Sequence, residues 1–143
     1  MDAAQISEQQ ALASVMTPER RKLAANLFGR LREMSFDGVG ISRETYGPKE
    51  TEAMQIIEAL GQEHGFDTRW DAARNLVLSL PGRNANLPVV ASGSHLDSVP
   101  QGGNFDGAAG VIAAMMALLA AKDCAPLRTM ELYVLRAEES AWY

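Results

Sequence analysis

The stretch from Arg128 to Arg136 constrains the fold more than any other part of the chain. Met130, Leu132 and Val134 alternate with Tyr133 and Leu135, so an extended segment here is apolar on both faces. Such a strand belongs in the middle of a sheet covered by helices, because a solvated face would carry polar residues at every second position. The rest of the chain supplies both layers. Thr17-Pro18-Glu19-Arg20 reads as a helix start, with Thr17 as N-cap and Pro18 at the first helical position. Leu23, Leu27, Leu31 and Met34 follow at helical spacing, flanked by Ala24 and Phe28. Leu12, Val15 and Met16 suggest a weak apolar stripe ahead of it. The polar stretch from Ser35 to Pro48 carries three glycines and reads as a loop long enough to have a functional role. A second helix is expected from Lys49 to His64, with Met54, Ile57 and Leu60 inward, Gly65 as its stop and His64 as a helix-end cation.

Beyond Gly65 the period changes. Phe66–Trp70 and Leu76–Leu80 are short strand candidates on either side of a turn, and Leu87–Gly93 reads as a buried strand. Asp106 to Lys122 follows as a helix apolar almost all round, hence buried on most faces. Alternating helices and strands give an α/β architecture, a central sheet flanked by helices.

At 143 residues, 47% hydrophobic and 22% charged, the chain has the composition of one ordinary globular domain. Thirteen Lys and Arg against eighteen Asp and Glu leave a net charge of −5, which speaks against a general binder of nucleic acid or anionic membrane. The longest apolar run, Gly107 to Ala121, is too short and too rich in alanine to span a membrane. The N-terminus has no basic region of the secretory type, so the expected compartment is the cytoplasm. The single cysteine, Cys124, excludes an internal disulfide and reads as a buried small hydrophobe.

Ligands in open α/β sheets gather at the carboxyl ends of strands. Two such ends carry dense polar groups: Gly93-Ser94-His95-Leu96-Asp97-Ser98, running on to Gly102-Gly103-Asn104-Phe105-Asp106-Gly107, and Ala137-Glu138-Glu139-Ser140. Taken singly, each has a plain structural reading: a His-x-Asp pair, an aspartate N-cap at Asp106, and a solvated acidic corner at Glu138-Glu139. Taken together they put one histidine and three or four carboxylates on one sheet edge, a donor set suited to divalent cations. His95 and Asp97 share a face in an extended segment, so Asp97 can orient the imidazole. Adjacent Glu138 and Glu139 are expected to point to opposite sides, one toward a metal and the other toward a bound water.

These motifs together resemble the two-metal amidohydrolases of the M20 peptidase family, and within it the hydantoinase/carbamoylase branch. Gly-Gly-Asn-Phe-Asp-Gly around Asp106, Gly40-Ile41-Ser42-Arg43 and Leu80-Pro81-Gly82 resemble that branch rather than its peptidases. The resemblance implies that His95 and Glu139 are metal ligands, Asp106 the carboxylate bridging two divalent ions (zinc, or manganese, cobalt or nickel), Glu138 the general base and Asp97 the group orienting His95. It implies a small ureido or amide substrate, of N-carbamoyl-L-amino acid or allantoate type, and a homo-oligomer. It further implies that residues 1–143 are the N-terminal portion of a zinc-peptidase-like catalytic domain, with a dimerisation domain and further metal and substrate ligands elsewhere. Ser98 stands where the family usually has Thr, and Trp142 where the branch often has Arg. A noncatalytic truncated homologue acting as a binding or assembly module is the alternative of a different class, favoured by the missing ligands and opposed by the intact Glu138. An aminopeptidase or deacetylase of the same superfamily is the other.

Overall fold

The computed structural model describes residues 14–142. Helix α1 (Pro18–Ser35) begins at Thr17, whose hydroxyl accepts the Arg20 N–H at 3.3 Å, and Pro18 loses no intrahelical hydrogen bond there. Its inward stripe is Ala24, Leu27 and Leu31, with Leu23, Phe28 and Met34 packed beside them. Leu12 lies outside the described residues; Met16 joins the core margin. Helix α2 (Pro48–Glu63) buries Ala53, Met54, Ile56, Ile57 and Leu60. The chain reverses at Gly65, whose φ of 75° lets the Phe66 N–H reach back to the Gly61 carbonyl at 2.9 Å.

Four strands follow: β1 (Asp67–Trp70), β2 (Leu76–Leu80), β3 (Val90–His95) and β4 (Met130–Leu135), with helix α3 (Ala108–Cys124) between the last two. The sheet order is β1-β2-β4-β3; the first two pairings are antiparallel and β3 with β4 is parallel. β4 therefore lies inside the sheet, paired along both of its edges. Leu76 pairs with Val134 and Leu78 with Leu132, and these four fully buried residues meet all three helices in one core. Each such side chain contributes about 1.5–3 kcal/mol by leaving water. No helix among the described residues is long and apolar enough to cross a membrane.

Three expectations are corrected. Leu87–Gly93 is not a buried strand. The strand starts at Val90, stands at the sheet edge with β4 as its one partner among the described residues, and leaves Val89 and Val90 47% and 45% exposed. Helices cover the sheet face of Leu76, Leu78, Leu132 and Val134, whereas Tyr133 on the other side packs on Arg69, whose guanidinium lies 5.9 Å from the ring, and donates its hydroxyl to Glu131 at 2.6 Å. Cys124 is exposed, because it falls at the last position of α3 beyond the packed turns.

Candidate metal centre

β3 and β4 run parallel and end in register, His95 opposite Leu135, so the polar segments that follow them leave the sheet side by side. That is why residues more than 40 positions apart converge. His95, the last residue of β3, is 9% exposed. Its Nδ1 lies 3.0 Å from the Asp97 carbonyl oxygen, which can only accept, so Nδ1 donates there and Nε2 is the nitrogen turned toward the carboxylates. Nε2 faces Glu138 Oε2 at 3.6 Å and Asp106 Oδ1 at 3.8 Å. Ligand atoms of His95, Glu138 and Glu139 lie within 4.8 Å of one another. Asp106 stands beside this group through its Oδ1, which faces the same imidazole nitrogen. Burial first, and then the neighbouring Asp106 and Glu138, hold the Glu139 carboxyl above the usual carboxylate range. Carboxyl groups crowded in this way are relieved by a cation, and one imidazole nitrogen with carboxylate oxygens suits a divalent ion. The residues present fit a metal.

All five sequence-derived candidates are therefore brought together, with two revisions. Glu138 and Glu139 do not point to opposite sides: the chain turns at Ala137, in the left-handed region at φ 59°, and both carboxylates face His95. Asp106 is not an N-cap. Gly107 takes that position, and no side chain caps α3. Gly107 has a φ of 61°, and a Cβ there would lie 2.6 Å from His95 Nδ1 and 2.5 Å from the His95 carbonyl oxygen. Only glycine lets the α3 entrance pass against the imidazole.

Asp97 does more than orient a ring. Its fully buried carboxylate accepts the Glu139 N–H at 2.9 Å, the Glu138 N–H at 3.3 Å and the Thr45 hydroxyl at 2.8 Å. One Asp97 oxygen also lies 3.3 Å from His95 Nδ1. The orienting acceptor at hydrogen-bond distance is thus the Asp97 carbonyl, and the carboxylate ties the β4 exit to the β3 exit. Sequence reasoning missed Thr45 because nothing local marks it.

A second tie lies one residue earlier. Arg136 Nε donates to the buried Glu50 at 2.7 Å, Nη2 to the Thr51 hydroxyl, and the guanidinium stacks 4.9 Å from the Tyr46 ring. Burial pushes the Glu50 carboxyl up and Arg136 pulls it back. Trp142, in the short 3₁₀ turn Ser140–Trp142, donates its indole N–H to the Ser98 carbonyl at 2.7 Å and closes the wall. His64 stands at the C-cap of α2, outside the metal-ligand group.

Comparison with known proteins finds amidohydrolase relatives of this chain. A model of peptidase family M28 matches residues 75–143, the segment holding all five candidates. The chain is 38% identical over 104 residues to the allantoate amidohydrolase of Escherichia coli (strain K12), covering 71% of this chain and 25% of that protein. It is 39% identical over 87 residues to the N-carbamoyl-L-amino-acid amidohydrolase of Paenarthrobacter aurescens, covering 61% and 21%. The crystal structure of a hydantoinase/carbamoylase family amidase from Burkholderia ambifaria superposes with a TM-score of 0.71 at 27% identity, covering 82% of this chain and 31% of that one. The chain thus spans between a fifth and a third of the length of these relatives. In sequence and fold the chain is similar to part of the hydantoinase/carbamoylase amidohydrolases.

Proposed function

We propose that this chain is the N-terminal portion of the catalytic domain of a metal-dependent amidohydrolase that cleaves non-peptide C–N bonds in small linear ureido or amide compounds. The observation that carries the reading is the convergence of His95 Nε2 with the carboxylates of Asp106, Glu138 and Glu139 at the joined ends of β3 and β4. His95, Asp106 and Glu139 would hold divalent cations, zinc or another first-row ion, with Asp106 shared between two. Bound there, such ions lower the pKa of water and polarise a carbonyl oxygen. The chain's own part is acid–base and positional. Glu138 accepts a proton at Oε2 from the attacking water and returns it to the departing nitrogen. Asp97 keeps His95 in the tautomer that presents Nε2 and keeps the two glutamates beside it. An N-carbamoyl amino acid or allantoate-type ureido group is the substrate class that fits, because the relatives named above act on those compounds.

The first test is metal stoichiometry on the purified protein by elemental analysis, with His95→Ala as the partner sample. Retained divalent metal, lost in the variant, is expected; equal metal content in both removes His95 from the ligand set. Glu138→Gln is expected to keep its metal and lose at least 10²-fold in turnover of a carbamoyl substrate, the size typical of a lost general base. Unchanged turnover would exclude it as the base.

A further inference from the structure

Arg43 is fully buried, alone among the described arginines. It belongs to the Gly40–Arg43 stretch, which the metal-binding residues leave unused. Its contacts fall on one short turn. Nε donates to the Leu96 carbonyl. The Arg43 N–H donates to the Ser98 hydroxyl at 2.9 Å, and its carbonyl accepts the Ser98 N–H at 3.0 Å. Leu96 and Ser98 flank Asp97, and Leu96 follows His95, so one residue grips the turn on both sides.

The rest of the guanidinium is poorly satisfied. Nη1 has a long 3.4 Å contact to the Ser35 hydroxyl, and Nη2 is buried with no partner among the described residues. A buried cation short of hydrogen bonds is an expensive way to fill space, and an apolar side chain of that volume would pack at lower cost. Burial accordingly pulls the Arg43 pKa down, and the carboxylates of Asp106, Asp97 and Glu50 push it back up. Two of those three belong to the candidate centre. A fixed positive charge behind carboxylates reduces their mutual repulsion whether or not a metal is bound.

Resting on the metal-centre reading above, we propose that Arg43 is a positioning residue: it holds the His95–Ser98 turn in ligand-ready geometry before a cation arrives. Lysine cannot reproduce the role, because it lacks the Nε–H that meets Leu96 and the planar fork that fixes its direction.

The test is a titration of the metal-stripped full-length protein with Zn²⁺ or Mn²⁺ alone, against a competing chelator dye, for wild type, Arg43→Lys, Arg43→Met and Leu78→Ala. Leu78 is fully buried in the helix-facing core and serves as a matched loss of stability. Arg43→Met is expected to bind at least tenfold more weakly and Arg43→Lys more than threefold more weakly, while Leu78→Ala stays within threefold despite a lower Tm. Where Arg43→Met yields no folded protein, Arg43→Lys decides by the same threshold. Affinity within threefold of wild type in Arg43→Lys, or an equal loss in Leu78→Ala, overturns the proposal and leaves the metal centre standing. A wild type that takes up no cation sinks the metal-centre reading and this role with it.

Discussion

Gly107 shows how much of the candidate centre depends on a missing side chain. The imidazole of His95 is packed so close to this residue that any Cβ would sit 2.6 Å from two of its ring atoms, on a backbone already at φ 61°. Gly107→Ala therefore has two expected costs. A positive φ combined with a ψ of −48° is a sparsely populated conformation for any residue with a side chain and alone costs about 1–3 kcal/mol. The clash must also be relieved by moving His95, because the neighbouring wall is backbone. We expect a Tm several degrees lower and metal binding weakened at least tenfold, read by the same dye titration; normal affinity would mean the ring has room to shift. The buried pair Glu50–Arg136 works at the same scale, fixing the residue before Ala137 so that the left-handed turn delivers both glutamates to His95. His95, Asp106, Glu138 and Glu139 were legible in the sequence because motif residues cluster within a few positions of a strand end. Arg43, Thr45 and Glu50 were not, because their partners lie 53, 52 and 86 positions away.

Among the elements, the stretch between α1 and α2 does the most unexpected work. Read as a long polar loop, it instead lies along the segment after β3. Ile41 and Gly102 exchange backbone hydrogen bonds at 2.9 and 2.8 Å, and the Gln101 N–H donates to the Ser42 hydroxyl at 2.9 Å. Its own bend is shaped by Asp37, whose carboxylate accepts the Val39 and Gly40 N–H groups and the Ser42 hydroxyl. Those hydrogen bonds, the Ser42 hydroxyl foremost, lower the Asp37 pKa from 3.8 to about 2. A depressed carboxylate stabilises the fold above its unfolded pKa and loses that contribution as acid protonates it. The stability advantage of wild type over Asp37→Ala is thus expected to be constant above about pH 4 and to fade toward pH 2. Chemical denaturation of both proteins across pH 2–6 measures it, and a difference independent of pH would contradict the assignment. The helices needed no such help to be read, since Thr17, Pro18, Pro48 and Gly65 mark their ends by local chemistry.

For the molecule as a whole, the edge matters most. β3 pairs with β4 on one side and offers an open row of backbone groups on the other, beside exposed Val89 and Val90. Leu127 and Leu135 add 52% and 38% exposed apolar side chains on the loop before β4 and at its end. An unprotected edge next to apolar surface is a template for pairing with another chain. We expect the 143-residue chain to self-associate, with apparent mass rising with concentration in light scattering behind a sizing column. A monodisperse monomer at high concentration would show that this edge is protected.

The sequence by itself determined the period of each element, the helix ends, the central place of β4 and the identity of the five residues at the candidate centre. All of these rest on interactions spanning a few residues, or on apolar patterns that report burial directly. Tertiary structure decided the rest. An apolar run such as Leu87–Gly93 has the same composition whether its strand lies inside a sheet or at its margin, and only the pairing order settled that β3 is an edge. A buried arginine looks like a surface one until its partners are folded against it. The roles of Arg43, Thr45 and Arg136 therefore emerge only when segments far apart in the chain are packed together, because a hydrogen bond or buried charge pair is specified by distance in space and leaves no period along the chain.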